Sequence, residues 1–148
     1  MFIEKLSLDN LNEAAILFDQ YRLFYKRETN LHGAIEFLTH RLNHGQSKVF
    51  LCRDKEINKA VGFMQLYPTF SSLSLCPQWI LNDLYVVEAH RKKGVAKLLL
   101  IRAEALAKET QANSLNLMTA KINIPAQKLY EAEGWVKDEA LFTYSKKI

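Results

Sequence analysis

The stretch that decides the fold is WILNDLYVVEAHRKKGVA, residues 79–96. Its apolar first half predicts a strand buried on both faces, except at Asn82 and Asp83. A helix-forming run follows at residues 94–109, and residues 115–119 alternate as a further strand. This strand–helix–strand unit predicts a mixed α/β sheet, whose ligands favour the carboxyl ends of the strands.

Hydrophobic periodicity predicts the elements on either side of that unit. Asn10, with Glu13 three residues later, has the pattern of a capped helix start. The predicted elements are a strand at residues 2–6, helices at 10–25 and 33–43, a hairpin of 48–52 and 61–67 closed by Pro68, a short helix at 123–134 and a last strand at 142–146. We therefore predict a single domain over residues 1–148, with about four helices flanking a mixed β-sheet.

The composition is that of an ordinary globular protein, with 49% hydrophobic and 24% charged residues among 148. No run approaches the roughly 20 apolar residues of a membrane span, and no signal peptide is recognisable, which predicts a cytoplasmic protein. Cys52 and Cys76 lie beside apolar residues and predict buried free thiols rather than a disulfide. The four histidines lack metal-ligand spacing, so no metal is expected.

A basic loop, Arg91 to Lys93, precedes the small residues Gly94 and Ala96 at the start of the central helix. Helix N-termini bind phosphates through free N–H groups, and small residues allow a close approach to the backbone. The alternative is a solvated loop with Gly94 as a turn residue. Neither a Walker pattern nor G-x-G-x-x-G is present, which argues against a nucleotide triphosphatase or a dinucleotide-dependent dehydrogenase.

Two segments give this chain a specific resemblance. Residues 81–86 and the loop at 91–96 are similar to the central strand and the Q/R-x-x-G-x-G/A loop of GNAT N-acetyltransferases, with Ala96 where many members have glycine. Residues 123–135 resemble the family segment N-x-x-A-x-x-L-Y-E-x-x-G-F/W. The chain is thereby identified as a member of the GNAT superfamily, and residues 18–25 resemble the histone-and-polyamine acetyltransferase-like branch.

The resemblance implies that acetyl-coenzyme A (acetyl-CoA) lies between two diverging central strands. Main-chain groups of the first strand would hold the acetyl and pantetheine portions, the basic loop would hold the pyrophosphate, and Asn123 would touch the pantetheine arm. The implied cofactor-binding residues are Leu84, Tyr85, Val86, Arg91, Lys92, Lys93, Gly94, Val95, Ala96, Lys97, Asn123 and Tyr130.

Two side chains are the predicted catalytic residues. Tyr130 matches the family tyrosine that faces the coenzyme sulfur, and its hydroxyl could protonate the departing thiolate; a packing role is the alternative. Asp83 is the only carboxylate in the central strand and could accept a proton from the amine, directly or through water. It could equally be a structural hydrogen-bond acceptor. Some polyamine-acetylating relatives have an acidic residue where this chain has Asn82, and an amide cannot act as a base.

An aromatic and acidic wall is predicted on the acceptor side. Tyr21, Phe24, Tyr25 and Glu28 share helical spacings and could bind a cationic amine together with Asn82 and Asp83, although a core-packing stripe would show the same spacing.

The predicted acceptor is a primary amine of a polyamine-like or aminoglycoside-like molecule or of a protein lysine. The alternatives are a non-catalytic acetyl-CoA sensor and a nucleic-acid-binding module that uses the basic loop. The last strand could pair with a second subunit, which suggests a homodimer.

Overall fold

The computed structural model describes all 148 residues, which form two compact units, Met1–Met118 and Thr119–Ile148. The second unit carries one helix, α4 (Ile124–Ala132). The elements of the first unit are β1 (Phe2–Lys5), α1 (Leu11–Phe24), α2 (Leu31–Asn43), β2 (Lys48–Asp54), β3 (Lys59–Ser71), β4 (Cys76–Val86), a short 3-10 helix (Glu88–His90), α3 (Val95–Glu109) and β5 (Leu115–Asn116).

A five-stranded sheet in the order β1-β2-β3-β4-β5 organises the first unit. The first four strands pair antiparallel, and β4 pairs with β5 in parallel through the α3 connection. Phe63 of β3 lies in the core formed with α1 and α2, whereas its neighbour Gly62 faces Val95 of α3. Helices therefore cover both faces, and the predicted mixed α/β sheet with its central strand–helix–strand unit is confirmed.

Several strand boundaries differ from the prediction, most of all at the ends of β3 and β5. Pro68 does not close the hairpin, because β3 continues to Ser71 and Pro68 pairs with Trp79 of β4. The pairing of β2 with β3 begins at Lys48 and Leu66, so beyond Leu66 the strand has a neighbour on one side only. A proline is tolerated there because its missing N–H belongs to the open edge. At the other side of the sheet, β5 ends at Asn116, short of residue 119.

The predicted last strand at residues 142–146 is wrong. Phe142 is 88% exposed and Tyr144 is 92% exposed, and neither belongs to a strand. A β-favouring composition makes a strand only when the backbone finds a pairing partner and the side chains find a face to pack on. The edge that suggested a homodimer is thus absent from this fold, and the homodimer stays a prediction.

The start of α1 is fixed differently from the predicted cap. The Asn10 side chain accepts from the Ser7 N–H and donates to the Lys5 carbonyl, and it does not cap the helix. Glu13 instead binds the buried Arg53 of β2, which also pairs with Glu4 of β1 at 2.7 Å. A nearly buried guanidinium shared by two carboxylates joins α1 to the sheet and holds the pKa of Arg53 above its usual range.

Neither cysteine forms a disulfide. Cys52 is buried and Cys76 is half-buried, so the free-thiol prediction is confirmed and the prediction of burial holds fully only for Cys52. Burial raises the pKa of the Cys52 thiol, which makes it less reactive. None of the helices combines the length and the apolar composition that a bilayer crossing requires.

Candidate functional site

Strand β4 carries an irregularity at Asn82. Gln65 of β3 pairs with Asp83, whereas the next residue, Leu66, pairs with Leu81, so Asn82 is an extra residue without a partner on β3. Such a bulge redirects the side chains on either side of it. Both residues were predicted to be exceptions to the burial of this strand. The prediction is confirmed for Asn82, which is exposed, and wrong for Asp83, which is only 5% exposed.

The carboxyl end of β4 has an open edge. Pairing with β5 covers only Trp79 and Ile80, and β4 runs on to Val86 without a strand on that side. The Val87 N–H donates to the Val61 carbonyl at 3.0 Å, so it points toward β3. Strand alternation then directs the N–H and C=O groups of Leu84 and Val86 toward the open edge, where an extended ligand can bond to them.

The loop before α3 presents a second group of backbone donors. Gly94 has φ +81, a conformation that glycine adopts readily, and a side chain added there would meet no atom within 4 Å. The first bond of the helix runs from the Leu98 N–H to the Gly94 carbonyl. The N–H groups of Val95 and Ala96 therefore have no acceptor within α3 and point out of its positive end.

Close packing places this helix end beside the sheet. A methyl group added to Gly62 of β3 would come within 2.8 Å of Val95 Cγ1 and 3.0 Å of the Tyr85 carbonyl oxygen. Val95 is almost fully buried, so the first turn of α3 is seated on β3 next to the last residues of β4. Glycine at position 62 thus allows the first turn of α3 to lie close to the last residues of β4.

The three basic residues of the loop lie in different surroundings. Arg91 turns back over the sheet: its Nε donates to the Val86 carbonyl at 3.1 Å, and its guanidinium lies 5.6 Å from the Phe24 ring and 5.9 Å from the Tyr85 ring. Lys92 and Lys93 are exposed. The loop therefore places positive charge next to the backbone donors of α3, an arrangement that attracts anions.

The Asp83 carboxyl is enclosed by hydrogen-bond donors. Gln65 Nε2 donates to Oδ2 at 2.8 Å, Asn82 Nδ2 donates to Oδ1 at 3.0 Å, and the Tyr21 hydroxyl also bonds to this carboxyl. Burial raises the pKa of Asp83 above its ordinary value, although these three bonds work in the opposite direction. The result is a carboxylate that takes up a proton more readily than an exposed aspartate.

The aromatic wall of α1 forms with three of its four predicted members. Tyr21 is half-buried and its ring lies 5.0 Å from that of Tyr25, while Phe24 and Tyr25 are each about half exposed. Phe24 and Tyr25 are thus too exposed to be core residues, whereas Tyr21 packs against the core. Glu28 does not share the helical face, because α1 ends at Phe24 and Lys26, with φ +59, turns the chain away.

The second unit holds the remaining predicted site residues. Asn123 caps α4, its Oδ1 accepting from the Ala126 N–H at 3.4 Å. The Tyr130 ring lies 6.0 Å from the Trp135 ring, and the Trp135 N–H donates to the Tyr130 carbonyl at 3.0 Å. Both residues thus have structural roles inside this unit.

Sequence reasoning missed two buried polar residues next to Asp83. Gln65 is 0% exposed, and Ser47 donates to its Oε1 at 2.9 Å. The signal for Gln65 was present: it is the one amide in the apolar run of residues 61–67, opposite the only carboxylate of β4. A polar side chain in such a run needs a buried partner.

Comparison with known proteins agrees with this geometry. The model of the acetyltransferase (GNAT) family matches residues 12–135. The uncharacterized N-acetyltransferase YhfO of Bacillus subtilis is 39% identical over 144 residues, which is 97% of this chain and 95% of that protein. The crystal structure of a probable acetyltransferase superposes with a TM-score of 0.94 at 40% identity, covering 100% of this chain and 98% of the other.

A more distant structure shares the fold alone. The aminoglycoside N-acetyltransferase AAC(6')-Iy, in complex with the bisubstrate analogue CoA-S-monomethyl-acetylneamine, gives a TM-score of 0.83 at 19% identity over 99% of this chain and 98% of the other. The fold and the relatives together define an N-acetyltransferase. The chain belongs to the acetyltransferase (GNAT) family.

Proposed function

We propose that this protein transfers an acetyl group from acetyl-CoA to a primary amine of a small cationic molecule. The observation that carries the proposal is a surface of the first unit, in which the open edge of β4 lies close to the positive end of α3. An extended amide chain ending in a pyrophosphate matches the two parts of that surface. The bound CoA portion in the distant aminoglycoside acetyltransferase supports the same donor.

The residues of this surface fit acetyl-CoA. The Leu84 N–H and carbonyl would bond to the amide groups of the pantetheine arm, as a neighbouring strand would, and the Val86 N–H would bond to the acetyl carbonyl oxygen. The N–H groups of Val95 and Ala96 would bind the pyrophosphate, with Lys92 and Lys93 adding charge-assisted bonds. The remaining members of the proposed donor site in the first unit are Tyr85, Arg91, Gly94 and Lys97, while Asn123 and Tyr130 of the second unit stay predictions from the family resemblance.

The acceptor side favours a cation. Phe24 and Tyr25 present exposed ring surface at the end of α1, and the Asp83 carboxyl lies behind Tyr21. Aromatic faces and a nearby negative charge attract an ammonium group. A polyamine-like or aminoglycoside-like amine meets these demands, and the neamine portion of the analogue in the distant relative belongs to the same chemical class.

The residues divide the work of the reaction. Acetyl-CoA supplies the acetyl group as a thioester, which an uncharged amine can attack. Asp83 takes up the proton that the ammonium group must lose before its lone pair is free. The Val86 N–H donates to the carbonyl oxygen as negative charge develops on it. The family resemblance assigns the protonation of the departing sulfur to the Tyr130 hydroxyl, and the resulting phenolate regains a proton from the newly bonded nitrogen.

A coupled assay for released CoA tests this function. We expect turnover with acetyl-CoA and polyamines or aminoglycosides, and lower kcat/KM for neutral amino acids, because only a cationic acceptor uses the aromatic wall and Asp83. Histone peptides test the protein-lysine acceptor in the same assay, with mass spectrometry to locate the acetyl group. CoA binding without release of product from any acceptor would indicate a sensor and would contradict the proposal.

A further inference from the structure

A chain of buried hydrogen bonds crosses the first unit from the start of β2 to α1. The Ser47 hydroxyl donates to Gln65 Oε1 at 2.9 Å, and Gln65 Nε2 donates to Asp83 Oδ2 at 2.8 Å. An ionised carboxylate can only accept, so Gln65 must turn its NH₂ group toward Asp83 and its carbonyl oxygen toward Ser47. Gln65 is 0% exposed, so water cannot replace either of these hydrogen bonds.

The same hydrogen bonds prevent a bound amine from reaching the Asp83 carboxyl directly. Its Oδ1 accepts from Asn82, its Oδ2 accepts from Gln65, and only 5% of the residue is exposed. Tyr21 is the third donor to this carboxyl and is only half-buried. The centroid of its ring lies 5.0 Å from that of the exposed Tyr25 and 5.9 Å from that of the buried Phe63. Tyr21 therefore reaches from the buried carboxyl to the aromatic wall.

We propose that the Tyr21 hydroxyl, rather than Asp83 itself, meets the acceptor nitrogen, and that Ser47 and Gln65 are positioning residues that hold Asp83 to receive the proton of Tyr21. This inference rests on the acetyl transfer proposed above and names the group that deprotonates the acceptor. It also gives a purpose to two buried polar residues that the fold alone does not require.

The proton moves in two linked transfers. The N–H bond of the bound ammonium breaks and its proton joins Tyr21 Oη, while the O–H bond of Tyr21 breaks and that proton joins a carboxylate oxygen of Asp83. The nitrogen keeps the electron pair and becomes the nucleophile, Tyr21 ends as a neutral phenol, and Asp83 ends as a neutral acid. After the product leaves, the proton returns through Tyr21 to water. Burial raises the pKa of Asp83, which favours its protonated form in this step.

The test compares Tyr21→Phe and Gln65→Met with the parent protein and with Tyr144→Phe, which removes the hydroxyl of an exposed tyrosine. We expect Tyr21→Phe to lower kcat/KM for the amine by about 100-fold, the usual contribution of a proton-transfer group. Gln65→Met should keep most of the rate at high pH. The acid limb of its pH–rate profile should move to higher pH, because the Asp83 carboxylate loses a hydrogen-bond donor. A merely structural role of Gln65 would not move that limb.

A second readout needs no substrate. Carbon-13 NMR of the aspartate carboxyls should show the pKa of Asp83 higher in Tyr21→Phe and in Gln65→Met than in the parent, because each variant removes a hydrogen bond that favours the ionised form. An active parent with unchanged rates and an unchanged Asp83 pKa in both variants would overturn this inference alone. A parent that transfers acetyl to no amine would instead refute the proposed function, whatever the titration shows.

Discussion

Replacing Tyr130 with phenylalanine is expected to lower kcat by about 100-fold while changing the affinity for CoA by less than about 3-fold. The departing sulfur needs a proton, and a positioned phenol supplies it, whereas phenylalanine cannot. The substitution leaves the ring that lies 6.0 Å from Trp135, so the packing of the second unit is retained. An effect on kcat without one on binding is the signature of a group that acts in the transition state.

Single-turnover kinetics with saturating acetyl-CoA, together with calorimetric titration of CoA, separates the two quantities. The matched control is Tyr144→Phe, which removes a phenol from the same unit at a position that is 92% exposed. A Tyr130→Phe protein with the parent's single-turnover rate would remove Tyr130 from the mechanism and leave only its packing role.

Reversing the charges of Lys92 and Lys93 is expected to remove almost all stabilisation by CoA. At 100 times its Kd a ligand adds about 2.7 kcal/mol to the free energy of unfolding, or roughly 5–10 °C in Tm for a chain of this size. Two glutamates beside the positive end of α3 would repel the pyrophosphate. If they weaken binding about 100-fold, the same CoA concentration adds only about 0.4 kcal/mol, or roughly 1 °C.

Thermal denaturation of Lys92→Glu/Lys93→Glu with and without CoA measures this loss. The control with the same change in net charge is Lys146→Glu/Lys147→Glu, at exposed positions near the end of the chain. We expect the control to keep the full shift, and added salt to reduce the shift of the parent. Equal CoA-induced shifts in the parent and in the loop variant would show that the pyrophosphate binds elsewhere.

The donor side could be predicted from the sequence because its information is local. The pattern of residues 79–96 predicts a strand, a loop and a helix start in that order, and Gly94 lies where the backbone takes a positive φ. The N–H groups that a helix start exposes follow from helix geometry alone. A contiguous segment therefore specifies both the central elements and the anion-binding end.

The acceptor side depends on contacts that sequence order does not reveal. The bulge that exposes Asn82 and buries Asp83 is a register shift between β3 and β4. No local sequence pattern predicts such a shift. The bond from Ser47 to Gln65 joins residues 18 positions apart. Glu13 was expected to help cap α1, but the nearly buried guanidinium of Arg53 is a stronger partner than a helix end.

The tail shows a different limit of local patterns. Residues 142–146 have a composition that favours a strand, yet strand formation depends on the pairing that the rest of the chain offers. Glu28 does not share the helical face for a simpler reason, because α1 ends at Phe24 and the predicted spacing continued past that end. Helical spacing carries information only as far as the helix runs.

The central claim is that one backbone surface, formed by the end of β4 and the start of α3, holds the acetyl donor. Amide hydrogen exchange with and without CoA tests it most directly. The N–H groups that would bond to the ligand have no hydrogen-bond acceptor on a neighbouring strand or within α3. The account predicts slower exchange at Leu84, Val95 and Ala96 on adding CoA, with no change in α2 (Leu31–Asn43). Unchanged exchange at these three amides with saturating CoA, or protection confined to other segments, would contradict it.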